Sequence, residues 1–476
     1  MKRIATLLLA LLLVLPGAPG LASQLPDMGD PSSQVLSPMQ EREIGRQMMM
    51  EVRRRLPLLE DPEVVDYVRD LGARLASHSD QPTLDFEFFV IDDPTINAFA
   101  MPGGHIGVNA GLILAARRES ELAGVLAHEI SHVTQRHIAR SVAAAERVSF
   151  RTVALLLTAL IIGSQDPQAG SAAAMAGMAG SVQQQLNYSR AFEREADALG
   201  IRLLGSAGFD PDGMPRFFER LAQATRYSAR PPEYLSTHPV TEARIAESEA
   251  RASQARPKKV FESTGFGLTR AKLVVLKADQ PSQAIAEFQA QLRSAGPQTA
   301  LYARYGLALA HTANREYDKA RPLLQELIKK QGEELAYLLA LARLERAAGN
   351  PERALEYFEQ AQSLYPDSYA ARYYYAEALL EAGEPNQAYH ILNRVMPTRE
   401  PAAYWLLAKA ASEAGLGAEP QLALAEYHYL RGDLGAALAQ LHQVLESSGA
   451  SPHEIARASV RKDELQRELA QLASGG

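Results

Sequence analysis

The 476 residues contain no cysteine. That excludes disulfide scaffolds, thiolate metal sites and cysteine nucleophiles, so any metal must be held by histidine and carboxylate side chains. A basic excess is missing too. The net charge of -7 argues against a nucleic-acid binder, which would carry a basic face. With 47% hydrophobic and 22% charged residues, the chain has a globular balance, neither wholly disordered nor many-spanning in a membrane. Its length suggests two or three domains.

No apolar run is long enough to span a bilayer, and the longest lies at the start. Lys2 and Arg3 precede a run from Ile4 to Leu15 that only Thr6 interrupts, and Pro16 and Gly17 break it before small residues at Gly20, Ala22 and Ser23. This is the three-part layout of a secretory signal peptide, with cleavage expected after Ala22. Twelve helical residues rise about 18 Å, too short for a hydrocarbon core of about 30 Å. The expected destination is the periplasm of a Gram-negative host. With no cysteine after the run, a lipid-anchored form is excluded.

Residues 24–37 read as a loose lead-in. Helical patterning covers Pro38 to Leu75. Leu84 to Ile91 is aromatic and β-branched, a strand, and Ile96 to Val108 reads as strand, Pro-Gly-Gly turn, strand. A long helix is expected from Glu119 to about Arg147 and another over Tyr188 to Ser206. Between them lie the apolar stretch Val153–Gly163 and an Ala/Gly/Met-rich segment from Ala169 to Gly180. The apolar stretch is too short to span a bilayer. It fits a buried helix, or a lid that touches membrane or unfolded client.

After about Phe261 strand signals cease and the chain becomes periodic. Ala308, Ala342 and Ala376 recur every 34 residues, as do Ala320, Ala354 and Ala388, and Gly349 and Gly383. Small residues recur where paired helices must approach, with a glycine between pairs. This is the pattern of tetratricopeptide repeats, continued imperfectly by Ala425, Gly432 and Ala437. Stacked pairs form a solenoid with a concave face suited to binding another protein. The fold class expected is mainly α with a small β-sheet.

The chemistry lies in His128-Glu129-Ile130-Ser131-His132. Residues four apart share a helix face, so both imidazoles can meet one ion, with Glu129 beside them. Two neutral histidines and an open position are how catalytic zinc is held. A water on such a zinc has a pKa of about 7, and an adjacent carboxylate can take its proton. Chance matches to this spacing number on the order of 0.02 in a chain of this composition. A third ligand must come from elsewhere, because the extended three-histidine pattern fails at Gln135 and Ile138. His137 falls off the ligand face, which suits a surface or supporting histidine. Glu193 and Asp197 share a helical face, so one can bind metal while the other supports a ligand histidine. Glu195 is rotated about 200° from Glu193 and should face away.

These motifs, with Asn97–Gly104 and Thr237-His238-Pro239, resemble the gluzincin metallopeptidases of the HtpX and CAAX-prenyl-protease type. The resemblance implies a zincin-type α+β metallopeptidase domain followed by an α-solenoid of tetratricopeptide repeats. It implies one Zn2+ per chain on His128, His132 and Glu193, with Glu129 as general base and Asp197 as supporting acid residue. It also implies chaperone-like help for outer-membrane proteins and degradation of stalled ones. The partners expected are unfolded or stalled clients and, through the repeats, the machinery that assembles outer-membrane β-barrels. The domain expectation is 1–22 signal peptide, 23–260 metallopeptidase and 261–476 repeats. The strand Gly104, His105, Ile106, Gly107, Val108 is expected either as an exposed edge for substrate or as an ordinary hairpin arm. His238, extended by Pro239, is a candidate fourth ligand that keeps the enzyme latent, or a transition-state donor, with Arg244 as oxyanion support. The competing class is a chaperone or adaptor whose repeats do the work while its protease site stays mostly latent.

Overall fold

Proline and capping side chains cut the helical pattern of residues 38–75 in two: α1 (Pro38–Arg55) and α2 (Pro62–Ala76). Ser37 and Gln40 cap the first reciprocally, and Asp61 accepts from the Glu63 and Val64 amides at the second, each with proline next in line. The computed structural model describes residues 36–144, 190–227 and 232–474, apart from 256, 258, 261, 295 and 395–397. The signal-peptide expectation, nearly all of the lead-in and both segments between 153 and 180 lie outside the described residues.

Three strands follow, β1 (Glu87–Ile91), β2 (Ala98–Ala100) and β3 (His105–Asn109), in the order β1-β3-β2. β3 runs parallel to β1, with Glu87 opposite His105, and antiparallel to β2, with Ala98 opposite Val108. This corrects the edge expectation for Gly104 to Val108. β3 is the central strand, buried along its whole length, and its backbone groups are taken by ladders on both sides. Among the described residues the free edge is β2, because the outer side of β1 is partly covered through the Leu58–Ile91 bridge.

α3 (Ala110–Ala115) leads to α4 (Glu119–Thr134), which carries the histidine pair and is buried on nearly every side. The expected helix to Arg147 breaks after Thr134. Arg136 takes a left-handed conformation (φ 52°), and α5 (His137–Ala144) starts in a new direction. Beyond lie α6 (Arg190–Ser206), α7 (Gly213–Tyr227), the single turn α8 (Tyr234–Thr237) and α9 (Glu242–Gln254). α6 crosses α4 at Gly200, where a Cβ would sit 3.1 Å from the His128 backbone nitrogen, tighter than an ordinary contact, so glycine favours this close approach of the two backbones. The first core joins Val68 of α2, Val90 and Val108 of the sheet, Leu126 of α4, Leu204 of α6 and Phe217 of α7.

Twelve further helices complete the described residues. They are α10 (Thr264–Lys277), α11 (Pro281–Ser294), α12 (Pro297–Ala313), α13 (Tyr317–Gln331), α14 (Leu335–Ala347), α15 (Pro351–Leu364), α16 (Tyr369–Glu381), α17 (Pro385–Asn393), α18 (Pro401–Glu413), α19 (Glu419–Leu430), α20 (Leu434–Glu446) and α21 (Pro452–Ser474). The six alanines in 34-residue register are all buried. The register also explains the glycines. After α14, Gly349 has φ 83° and Asn350 N–H donates to Glu345 O at 2.9 Å; after α16, Gly383 has φ 79° and Glu384 N–H donates to Leu379 O at 2.8 Å. Both are helix stops that need a left-handed residue. One repeat earlier the same stop is made by Arg315, φ 59°, with Glu316 N–H on His311 O at 2.9 Å.

The repeats fold back on the N-terminal half. α10 gives Phe266 and Leu273 to the first core, and Leu268 and Ala271 to the core of the repeats. Asp66 on α2 caps α16, accepting from Ser368 Oγ at 2.8 Å and Ala370 N–H at 2.9 Å. Arg53 on α1 donates to Leu430 O at 3.2 Å. No helix among the described residues is long and apolar enough to cross a membrane.

Candidate metal centre

α4 presents His128 and His132 one turn apart, with their Nε2 atoms 2.9 Å from each other. α6 brings Glu193 to within 3.6 Å of His128 Nε2 and 3.4 Å of His132 Nε2. His238, at the end of α8, sets Nδ1 3.3 Å from His128 Nε2 and 3.2 Å from both Glu193 oxygens. All four side chains are buried, and their donor atoms lie within 4.8 Å of one another. Corners of a coordination tetrahedron with zinc bonds of about 2.0–2.1 Å stand about 3.3 Å apart. The closest donor pairs span 2.9 to 3.6 Å, so the set fits a divalent ion that prefers nitrogen and oxygen ligands. Glu129 adds a second indication. It is fully buried, yet neither carboxylate oxygen has a hydrogen-bond partner of good geometry, and His238 Nε2 lies 3.6 Å away.

A supporting layer holds these donors. Asp197 lies one turn along α6 from Glu193, with Oδ1 2.9 Å from His128 Nδ1. Arg244, at the start of α9, grips Asp197 with two parallel bonds of 2.8 Å, and its Nη1 reaches Glu193 at 2.9 Å and Pro239 O at 2.7 Å. The expected oxyanion role for Arg244 meets a different placement. Its guanidinium is turned to Asp197, Glu193 and Pro239 O. His137 is fully buried, with Nδ1 2.8 Å from His132 Nδ1. Glu195 points away from the donor cluster, as its helical angle requires, and meets His137 instead.

Burial opposes charge throughout; neighbours overcome it at Glu193 and His128, and burial prevails at His132 and Glu129. Burial pushes the Glu193 carboxyl up, but His238, His128 and His132 hold it well below its usual range. Burial also pulls the His128 imidazolium down, and Asp197 and Glu193 reverse this, to about 10. At His132, burial and the adjacent His128 charge win over Glu193, and its pKa falls well below 6.5. Glu129 is pushed up by burial against the opposing pull of His238 and His128. That suits a group that must take up and release a proton.

One contributor had no signal in the sequence. Tyr234 stacks on His238 with ring centroids 4.7 Å apart, and its buried hydroxyl has no hydrogen-bond partner of good geometry. A tyrosine four residues before a loop histidine is not a motif, and only the short turn of α8 makes it one wall of the site.

Comparison with known proteins agrees with this architecture. Residues 62–252 match the model of Peptidase family M48, and residues 273–334 and 345–411 match tetratricopeptide repeat models. Fold and site thus define a metallopeptidase that carries helical repeats. The chain is 34% identical over 468 residues to the beta-barrel assembly-enhancing protease of Escherichia coli K12, covering 98% of this chain and 96% of that protein. It is 41% identical over 342 residues to a putative beta-barrel assembly-enhancing protease of Vibrio cholerae, covering 71% of each chain. Over 193 residues it is 33% identical to the mitochondrial metalloendopeptidase OMA1 of Schizosaccharomyces pombe, covering 40% of this chain and 54% of that protein. The chain belongs to the beta-barrel assembly-enhancing protease family, and it is a metalloendopeptidase.

Proposed function

We propose that this chain is a zinc-dependent endopeptidase of the periplasm, exported by a signal peptide over residues 1–22, that acts on unfolded or stalled outer-membrane proteins. Residues 23–260 carry the chemistry, and residues 261–476 dock on the machinery that assembles β-barrels. One observation carries this reading: three imidazoles and a carboxylate converge within 4.8 Å beside a buried glutamate that has no hydrogen-bond partner of good geometry. His128, His132 and Glu193 would hold the metal. When bound, a zinc ion supplies polarisation of the scissile carbonyl and acidifies a water. Glu129 would take a proton from the attacking water and return it to the leaving amine. Asp197 fixes His128 from behind, and Arg244 fixes both carboxylates. Extended substrate adds to the free edge of β2 through backbone hydrogen bonds, which favours tolerance of sequence over strict specificity.

His238 supports a resting state that is latent. As a fourth protein donor beside the other three, it would compete with water and substrate for a bound metal. Its stacking on Tyr234 holds it there until α8 moves. Turnover of an unstructured protein by the wild type and His238→Ala tests this: a plug predicts faster unregulated cleavage, and a transition-state donor predicts slower. Degradation of casein by the zinc-loaded protein, beside Glu129→Gln, tests the catalytic reading. A truncation after Lys259 that still finds its clients and partners removes the docking role.

A further inference from the structure

His132 is supported differently from His128. His128 meets a carboxylate directly, since Asp197 Oδ1 lies 2.9 Å from its Nδ1. His132 turns Nε2 toward the donor cluster, and its other nitrogen, Nδ1, faces not an acid but a second imidazole, His137 Nδ1, at 2.8 Å. His137 Nε2 in turn lies 3.2 Å from Glu195 Oε2, and Arg140 Nη1 meets that same oxygen at 3.0 Å. The row thus runs from the metal cluster through two buried rings to a carboxylate that is 35% exposed.

Local structure builds this row on purpose-shaped elements. On an unbroken helix, a residue five positions after His132 would point about 140° away from it. The left-handed turn at Arg136 ends α4 and restarts the chain as α5, so that the first residue of α5 swings its ring back against His132. Phe192 on α6 packs flat on His137, with centroids 4.6 Å apart and planes 15° from parallel, and the Arg140 guanidinium lies 4.5 Å from the centroid of the Phe192 ring. Three residues after Phe192 on α6, Glu195 closes the row, while Glu193 between them faces the metal donors.

The protons follow from the ends. A metal ligand needs a free lone pair on His132 Nε2, so the proton of a neutral ring sits on Nδ1. His132 Nδ1–H then donates to His137 Nδ1, which must be unprotonated. The proton of His137 therefore sits on Nε2 and donates to Glu195. Each link fixes the next tautomer, and the negative end raises the basicity of the ligand at the far end.

We propose that His137 and Glu195 are positioning residues for the metal: a histidine-carboxylate relay that sets the tautomer, orientation and donor strength of His132. The proposal rests on His132 being a ligand. The relay predicts a graded response in metal affinity rather than loss of fold. His137→Leu removes the acceptor while keeping a buried apolar side chain against Phe192. It should weaken Zn2+ binding by roughly 10–100-fold. His137→Asn returns an acceptor oxygen near the Nδ1 position and should recover most of the affinity. Glu195→Gln keeps an acceptor without charge and should fall between the wild type and His137→Leu.

The test is competition of the full-length protein with a chromophoric chelator for Zn2+, with circular dichroism as the check on folding. The visible spectrum of the Co2+-loaded protein is the second readout, since it reports ligand field directly. A shifted Co2+ spectrum and weakened Zn2+ binding in His137→Leu, with recovery in His137→Asn, support the relay. Wild-type affinity and an unshifted spectrum in both His137→Leu and Glu195→Gln overturn it, provided His132→Ala loses the metal. If His132→Ala keeps full metal, the ligand assignment itself falls and the relay falls with it. If His137→Leu does not fold, Glu195→Gln, which lies nearer the surface, decides alone: unchanged affinity and spectrum overturn the relay.

Discussion

Glu87 should make the junction between the two halves of the molecule acid-sensitive. Its carboxylate, on β1, lies 2.5 Å from Arg53 Nη2, 2.9 Å from His105 Nδ1 and 3.1 Å from Arg399 Nη1, the last reaching across from the repeats. Burial pushes this carboxyl up, but His105, Arg53 and Arg399 overcome it and hold the pKa at about 2, against an ordinary 4.5. Each power of ten in proton affinity is worth about 1.4 kcal/mol, so the depression corresponds to about 3 kcal/mol of stability. Arg399 is 41% exposed and screened by water, so the larger share belongs to the buried Arg53 and His105. Because the folded value is depressed, this stability is fully present above pH 4.5 and is lost as the pH falls toward 2. Glu87→Gln should cost about 3 kcal/mol at pH 7, and the gap to the wild type should close as the pH approaches 2. Denaturant unfolding of both proteins at a series of pH values measures the gap, and the difference cancels the other carboxylates that titrate in the same window. A gap that stays constant from pH 7 to pH 2 would refute the reasoning.

Three further outcomes are expected. Arg315→Gly, at the repeat stop where arginine holds a left-handed conformation, should stabilise the chain by roughly 0.5–1 kcal/mol in urea unfolding, the strain relieved less the added freedom of the unfolded chain. Gly200→Val should force α6 from α4 beside His128, costing roughly 1–3 kcal/mol and lowering metal content on elemental analysis. Arg244→Met leaves Asp197 and Glu193 without their shared cation, and should cost roughly 3–5 kcal/mol in unfolding experiments at pH 7.

Local spacing carried far in the sequence. The one-turn separation of His128 and His132, and of Glu193 and Asp197, needs only a helix to become a shared face. The 34-residue register of alanines needs only paired helices to become a solenoid. What spacing could not convey was the path of the chain between elements. β3 follows β2 in sequence, and nothing in residues 104–108 tells that β1 will take its other side and make it central. The helix break at Arg136 left no mark, because a left-handed arginine is indistinguishable in sequence from a helical one, yet this break turns His137 onto His132. Arg53 and Arg399 stand 346 residues apart and meet on Glu87, a pairing set by tertiary closure alone.

Metal content and hydrolysis, measured together on the purified full-length protein, test the central claim most directly. The account predicts close to one zinc per chain in the wild type and in Glu129→Gln, with hydrolysis of an unfolded protein lost only in the latter. It predicts loss of most zinc and of all hydrolysis in Glu193→Ala. Full zinc and activity in Glu193→Ala, or cleavage by Glu129→Gln at the wild-type rate, would contradict it.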